Sequence, residues 1–390
     1  MRALCWEGVD SLAVRQVPDP ELRNAHDMIV RVRRSATCGA DLPLLGGRLP
    51  FVAAGDVLGH EFVGEVAEVG PEVRRHRVGD RVVVSAAVAC GSCWYCRQGL
   101  HSCCDNSGTA PAVTESAWGQ PTAGCYGQPG ALGGFAGSHA EYVRVPYADV
   151  GAFTVPDPVS DDRAVFASDA APAGWMGAEL GEVGPGDVVA VWGAGAVGQL
   201  TAQAATLLGA DRVIVIDRHP ERLQMAERHT GAETLNYDLT DVPAELRERS
   251  GGRGPDVCVE AVGAADGGGT PASLAGRLTG HRGDGEDPLA VREAVHACRK
   301  GGTVFVSGTF TGFVHTFPLG AVMNKGLTLR SARQHGQRWI PMLLDRMARD
   351  ELRTEHLATH RFPLEQGPAG YALFRDRADG CVRSVFTPEG

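Results

Sequence analysis

Apolar residues in the first 155 positions come in short runs broken by Gly, Pro and Asp. Met28-Ile29-Val30-Arg31-Val32 and Arg81-Val82-Val83-Val84 are examples. This pattern predicts the strands of a mostly β unit. Between residues 105 and 138 the periodicity fades into Gly, Ala, Pro and Thr, which predicts a long surface loop. Near Pro172 the pattern changes, and apolar runs alternate with helix-forming stretches as in βαβ units. Residues 188–192 and 213–217 read as buried strands, with a helix over 199–208 between them. Residues 256–260, 303–306 and 327–330 read as later strands of one sheet. The Gly- and Asp-dense stretch 264–289 reads as an insertion. Beyond Ser331 the composition is mixed again, and this short piece is expected to pack back onto the first unit. The expected organisation is a first domain over 1–171, a second over 172–333, and a return to the first over 334–390.

Within the second domain, Gly193-Ala194-Gly195-Ala196-Val197-Gly198 follows an apolar strand and opens a helix. Asp217 ends the next strand, about 20 residues further on, which completes the dinucleotide fingerprint. The glycines allow a tight turn, close approach of a pyrophosphate and close helix packing. The helix N-terminus stabilises phosphate charge. Asp217 can accept from both ribose hydroxyls and opposes a 2′-phosphate, which favours NAD over NADP. Arg218, directly after it, works the other way. The bland alternative is a βαβ unit that binds no nucleotide.

The chain has 390 residues, 43% hydrophobic, with a net charge of −10. That length suits two domains, and the acidic balance disfavours nucleic-acid binding. The N-terminus lacks an apolar signal core, and no segment reaches the ~18 uninterrupted apolar residues of a membrane span. The expectation is a cytoplasmic protein, in which eleven cysteines speak for metal or catalysis rather than disulfides.

Cys90, Cys93 and Cys96, followed by Cys103 and Cys104, have the spacing of four thiolates around one tetrahedral zinc. Such a closed site orders a loop and leaves no position for substrate. Spacing alone leaves Cys103 and Cys104 in competition for the fourth place. Upstream lie Cys38-Gly39-Ala40-Asp41 and Gly59-His60-Glu61, beside Gly-rich turns.

The order of these motifs resembles the zinc-containing medium-chain alcohol dehydrogenases over nearly the whole chain. The match is nearest to the branch of glutathione-independent formaldehyde dehydrogenase. It is carried also by Ala140-Glu141-Tyr142-Val143-Arg144-Val145-Pro146, Ser168-Asp169, Gly174-Trp175-Met176-Gly177-Ala178 and Asn324-Lys325-Gly326-Leu327-Thr328-Leu329-Arg330. Thr359-His360-Arg361 and Phe374-Arg375-Asp376 add to it, as do the long loop and the insertion. The resemblance implies an α/β fold, with a Rossmann doubly wound parallel sheet beside a mostly β GroES-like catalytic domain bearing a structural-zinc lobe. It implies two zinc ions per chain, NAD, and a homodimer or homotetramer, often built by edge-strand pairing of nucleotide domains. It selects Cys104 over Cys103. It implies that Cys38, His60 and Asp169 hold catalytic zinc, with Glu61 behind them or exchanging as a ligand. Asp169 read alone would be a helix N-cap.

Three positions depart from the family. Ala40 stands where a Ser or Thr relays the substrate proton, Pro43 where a His continues the relay, and Ala173 where a Thr flanks the nicotinamide. A relay step is worth ~10²–10⁴-fold. The expected activity is hydride transfer between a nicotinamide and an alcohol or aldehyde, with a rerouted proton path. Alternatives are reduction of an activated C=C or C=N bond, redox-neutral or dismutase-like chemistry with NAD retained, and a dinucleotide sensor without catalysis. His335 and Arg333, past the last strand, are read either as reaching the cofactor or as surface residues.

Overall fold

The computed structural model describes residues 1–47, 51–130, 133–263, 288–310, 314 and 316–388. Residues 264–287 of the expected insertion therefore lie outside the described residues. The chain divides into two compact units, one formed by Met1–Pro172 with Gln334–Gly390 and the other by Ala173–Arg333.

The first unit opens with an antiparallel pair, β1 (Arg2–Gly8) and β2 (Ser11–Gln16). Then follow β3 (Met28–Ala36), β4 (Glu61–Val69), β5 (Arg81–Val84), β6 (Tyr142–Val145) and β7 (Ala152–Thr154). Met28, Val30 and Val32 alternate along β3 and pack with Phe62, Val66 and Val82 in one core. A period of two is what a strand needs to send every second side chain inward.

Residues 105–138 are more than the surface loop expected from their composition. They contain a helix, Pro111–Trp118, and they bury Tyr126 edge-on against Phe62 at 5.3 Å. Single bridges from Cys125 to Ala87 and from Tyr126 to Phe135 fix this segment. Long-range contacts made one residue at a time leave no periodic trace in sequence.

The second unit is an α/β layer. Its strands are β8 (Val188–Trp192), β9 (Arg212–Asp217), β10 (Glu233–Asn236), β11 (Val257–Glu260), β12 (Thr303–Val306) and β13 (Thr328–Ser331). They lie in the order β10-β9-β8-β11-β12-β13, and every pairing is parallel. The order reverses direction between β8 and β11, the topological switch at which open sheets of this kind hold ligands. β10 had no signal in the hydrophobic pattern, because only Leu235 of its four residues is fully buried.

After the second unit the chain contributes β14 (His360–Pro363) and β15 (Ser384–Thr387) to the first. The seven-stranded sheet there runs β14-β15-β3-β4-β5-β7, with β6 also on β3. Among the described residues, no helix is long and apolar enough to cross a membrane.

Candidate active site

Strand register brings the reactive side chains together. Ala36, the last residue of β3, pairs with Glu61, the first of β4, and also with Val385 of β15. Cys38 lies two residues past the end of β3, His60 one before β4, and Arg383 one before β15. Three strand termini thus converge at one end of the sheet. Ser168 ties in the fourth element: its hydroxyl donates to the carbonyls of His60 and Val84, and its own carbonyl accepts from Ala86 N. That fixes Asp169, which immediately precedes the helix Ala170–Leu180.

Ligand atoms of Cys38, His60, Glu61 and Asp169 all lie within 4.8 Å of one another. Cys38 Sγ is 3.8 Å, and His60 Nε2 3.6 Å, from Asp169 Oδ2. Bonds of ~2.0–2.3 Å to a tetrahedral zinc require donor separations of about 3.3–3.8 Å, so the set fits the ion. Electrostatics agree. Burial pushes the Cys38 thiol up, against Arg383 and His60, and pushes Glu61 up to about 7, against Arg383. Burial acts to raise Asp169 too, but His60, Arg383 and the Gln334 amide hold it below the usual carboxylate range. Acidic donors gathered out of solvent in this way suit a bound cation.

A second layer holds the donors. His60 Nδ1 lies 3.1 Å from Asp41 Oδ1, so a proton on Nδ1 leaves Nε2 free to face Asp169. This is the arrangement that orients metal-binding histidines. Asp41 Oδ2 accepts from Cys38 N at 2.8 Å and from the Tyr371 hydroxyl at 3.0 Å. Arg383 Nη2 donates to Glu61 Oε1 at 3.2 Å and lies 3.6 Å from Cys38 Sγ. Behind Tyr371, its hydroxyl meets His139 Nε2 at 2.8 Å, and His139 Nδ1 meets Ser35 Oγ at 2.7 Å. Gly59 is required for this packing: at φ +95° its missing Cβ would lie 2.6 Å from the His139 ring.

The four-cysteine site is formed by Cys90, Cys93, Cys96 and Cys104, whose sulfurs lie within 4.8 Å of one another. Cys103 is not in the group. Two of the sulfur pairs, Cys90–Cys96 and Cys93–Cys104, are each 4.0 Å apart, near the ~3.8 Å edge of a ZnS₄ tetrahedron. Backbone N–H groups of Ser92, Cys93 and Asn106 aim at the sulfurs and stabilise thiolate charge.

In the second unit, Gly195 caps the helix Ala196–Leu207, and its first internal bond is from Gln199 N to Gly195 O. Ala196, Val197 and Gly198 therefore present the N–H groups that precede that bond. A Cβ on Gly198 would lie 1.8 Å from the carbonyl oxygen of Gly193, so this turn closes only over glycine. Asp217 is brought to the same turn, where Oδ2 accepts from Ala194 N at 2.7 Å and Oδ1 from His219 N at 3.0 Å. Arg218 points to Asp238, 3.5 Å away. His335 is buried and hydrogen-bonded to Ser102 Oγ at 2.9 Å within the first unit. That contact tethers the stretch between Cys96 and Cys104.

A parallel six-stranded sheet with a glycine-rich switch, a closed four-sulfur site and an open mixed-donor site define a zinc- and nicotinamide-dependent oxidoreductase. Comparison with known proteins agrees. Residues 24–157 match the alcohol dehydrogenase GroES-like domain, and 196–267 match the zinc-binding dehydrogenase domain. The uncharacterized zinc-type alcohol dehydrogenase-like protein AdhB of Bacillus subtilis is 33% identical over the full length of both chains. Formaldehyde dismutase of Pseudomonas putida is 33% identical over 80% of this chain and 75% of its own. Alcohol dehydrogenase TADH from Thermus sp. ATN1 superposes with a TM-score of 0.83 at 33% identity, covering 99% of each chain. The chain belongs to the zinc-containing medium-chain alcohol dehydrogenase family.

Proposed function

We propose that this enzyme oxidises an alcohol, or reduces the matching aldehyde, with NAD, and that Cys38, His60 and Asp169 hold its catalytic zinc while Glu61 stands by as an exchangeable fourth donor. The observation that carries this reading is the convergence of four donor atoms within 4.8 Å, one of them an imidazole backed by a buried carboxylate. Zinc supplies Lewis acidity there, which polarises a carbonyl or acidifies an alcohol. A bound nicotinamide would supply the hydride chemistry, held at the glycine turn by Ala196, Val197, Gly198 and Asp217. The chain's own residues set the donors: Asp41 orients His60, and Arg383 offsets the negative charge of Cys38 and Glu61.

The family's proton relay is altered. Ala40 lies in the turn Gly39–Asp41 and has no hydroxyl, and Pro43 is buried with no exchangeable proton. We assign the proton a different route. For the cofactor, the position of Asp217 at the glycine turn and the pairing of Arg218 with Asp238 support NAD over NADP. Similarity to formaldehyde dismutase supports a place in the formaldehyde dehydrogenase branch. It also favours a second reading, aldehyde dismutation with the nucleotide retained.

The test is metal analysis of the purified enzyme, together with absorbance at 340 nm on adding primary alcohols with NAD or NADP. Two zinc ions per chain and NADH formation are expected, with NADP slower. Restoring a hydroxyl by Ala40→Ser should raise alcohol turnover. Zinc and bound nucleotide without any alcohol-driven change would sink net oxidation and leave dismutation, which aldehyde disproportionation would then reveal.

A further inference from the structure

Beside Asp169 the first unit gathers three polar side chains whose hydrogen-bonding capacity the fold uses only in part. Ser85, just past β5, is 1% exposed, and Gln334 and Gln337 are each 8% exposed. Among the described residues, Ser85 Oγ, both amide atoms of Gln334 and Gln337 Oε1 meet no partner in hydrogen-bond geometry. Buried polar atoms are satisfied with few exceptions, so four in one place call for an explanation.

The segments that carry them are stitched together. Ala86 N donates to the carbonyl of Ser168, and Gln337 Nε2 donates to the carbonyl of Ala87 at 2.6 Å. Gly336 lets them approach closely. A Cβ there would lie 2.5 Å from Gln334 Oε1 and 2.6 Å from Ser85 Oγ, so these two oxygens crowd the same face of Gly336 and stand close to one another. The Gln334 amide also stands near enough to Asp169 to help hold that carboxyl low.

We infer that Ser85, Gln334 and Gln337 form a subsite for a second hydroxyl of the substrate, one that does not react, so that the preferred substrate is a short diol or hydroxyaldehyde. This deepens the proposed function and rests on its assignment of Asp169 to the metal. The chemistry of the groups selects the ligand. The Gln334 amide donates through nitrogen and accepts through oxygen, Ser85 does both, and Gln337 Oε1 accepts. A hydroxyl can accept from the Gln334 amide and Ser85 and donate to one of the glutamine oxygens, a mixed demand that neither a pure donor nor a pure acceptor meets. A carboxylate would oppose two carbonyl oxygens and the acidic donors next door. An ammonium would leave the Gln334 N–H groups facing another donor. Sites built to hydrogen-bond a substrate hydroxyl discriminate against the analogue lacking it far more strongly than apolar pockets discriminate by size.

The experiment compares propane-1,2-diol with propan-1-ol, using NAD and the zinc-loaded enzyme, in wild type, Gln334→Met and Ser85→Ala. kcat and KM are read separately, with zinc content measured on each protein. Wild type should favour the diol by at least about ten-fold in kcat/KM, and the preference should collapse towards unity in Gln334→Met, chiefly through KM. Ser85→Ala should lower it in the same direction and carries the test if the first variant does not fold. An unchanged ratio in the variants, or no diol preference in wild type, overturns the subsite. So does loss of zinc from Gln334→Met, since the amide would then serve only to place Asp169. A preference for lactate or 2-aminopropan-1-ol over the diol overturns the hydroxyl assignment. If wild type turns over neither alcohol, the dehydrogenase reading fails by itself. Calorimetric binding of the diol to the zinc-loaded protein with NAD then decides: about ten-fold weaker binding by Gln334→Met supports the subsite, and equal binding rejects it.

Discussion

His139 is buried among Tyr371, Phe386 and Ser35, with ring centroids 5.5 Å from Tyr371 and 4.9 Å from Phe386. Tyr371 donates to Asp41, so its oxygen is left to accept from His139 Nε2, and Nδ1 accepts from Ser35. The neutral ring satisfies both neighbours, and a charged one would face a hydroxyl proton. Burial accordingly lowers the His139 pKa from 6.5 to about 4. Because the folded value lies below the unfolded one, the unfolded chain binds more protons between those pH values, and stability falls as pH drops through that window. The effect is on the order of 3 kcal/mol by pH 4. Urea unfolding of His139→Gln should therefore change less between pH 7 and 4 than that of wild type. A wild-type stability that stays flat over this range would contradict the assignment. Cys38, His60 and Asp169 could be named through the family resemblance, because each sits in a short recognisable motif. Asp41, Tyr371, His139 and Arg383 could not. Each acts through a partner far away in sequence, and no spacing rule encodes a contact between the ends of β3, β4 and β15. Asp41 had one available signal, its place three residues after Cys38 in a turn.

At the scale of elements, the inner parallel strands of the second unit, β8, β9, β11 and β12, were readable because they are buried, which makes each a nearly continuous apolar run. The edge strand β10 was not, because only Leu235 of its four residues is fully buried, and neither was the interior part of 105–138, which isolated bridges fix. The glycine turn was legible for a steric reason. Because a Cβ on Gly198 would fall 1.8 Å from the Gly193 oxygen, Gly198→Val must push the helix away from β8 and spoil the row of N–H groups. NADH binding, followed by fluorescence titration, should weaken by at least about ten-fold, while zinc content stays at the wild-type value. Loss of zinc with the nucleotide would show a wider collapse than this local account allows. The four-cysteine lobe follows the same logic of local encoding: three of its ligands lie within seven residues, and its geometry forms around them.

For the whole molecule, we propose self-association through the second unit. β13 ends the parallel sheet, its four residues are exposed, and among the described residues it pairs only with β12. The adjoining helix Leu319–Lys325 exposes Leu319 by 65% and Met323 by 76%. An open strand edge beside large apolar side chains is a surface that another copy can cover. The double substitution Leu319→Asp with Met323→Asp should shift the protein to monomers in sedimentation velocity, and a wild-type protein that is already monomeric would dismiss the idea.

The threading of the first unit has a consequence for biosynthesis. Cys38 and its neighbour Arg383 are 345 positions apart, and the whole second unit is translated between them. The nucleotide-binding half is one uninterrupted stretch and can fold as it emerges from the ribosome, whereas the half that carries the metal donors must wait with the β3 side reserved for β15 uncovered. The four donors are thus all synthesised before the second unit, but their pocket is completed only when Arg383 and β15 arrive, and chaperone demand should fall on the waiting half.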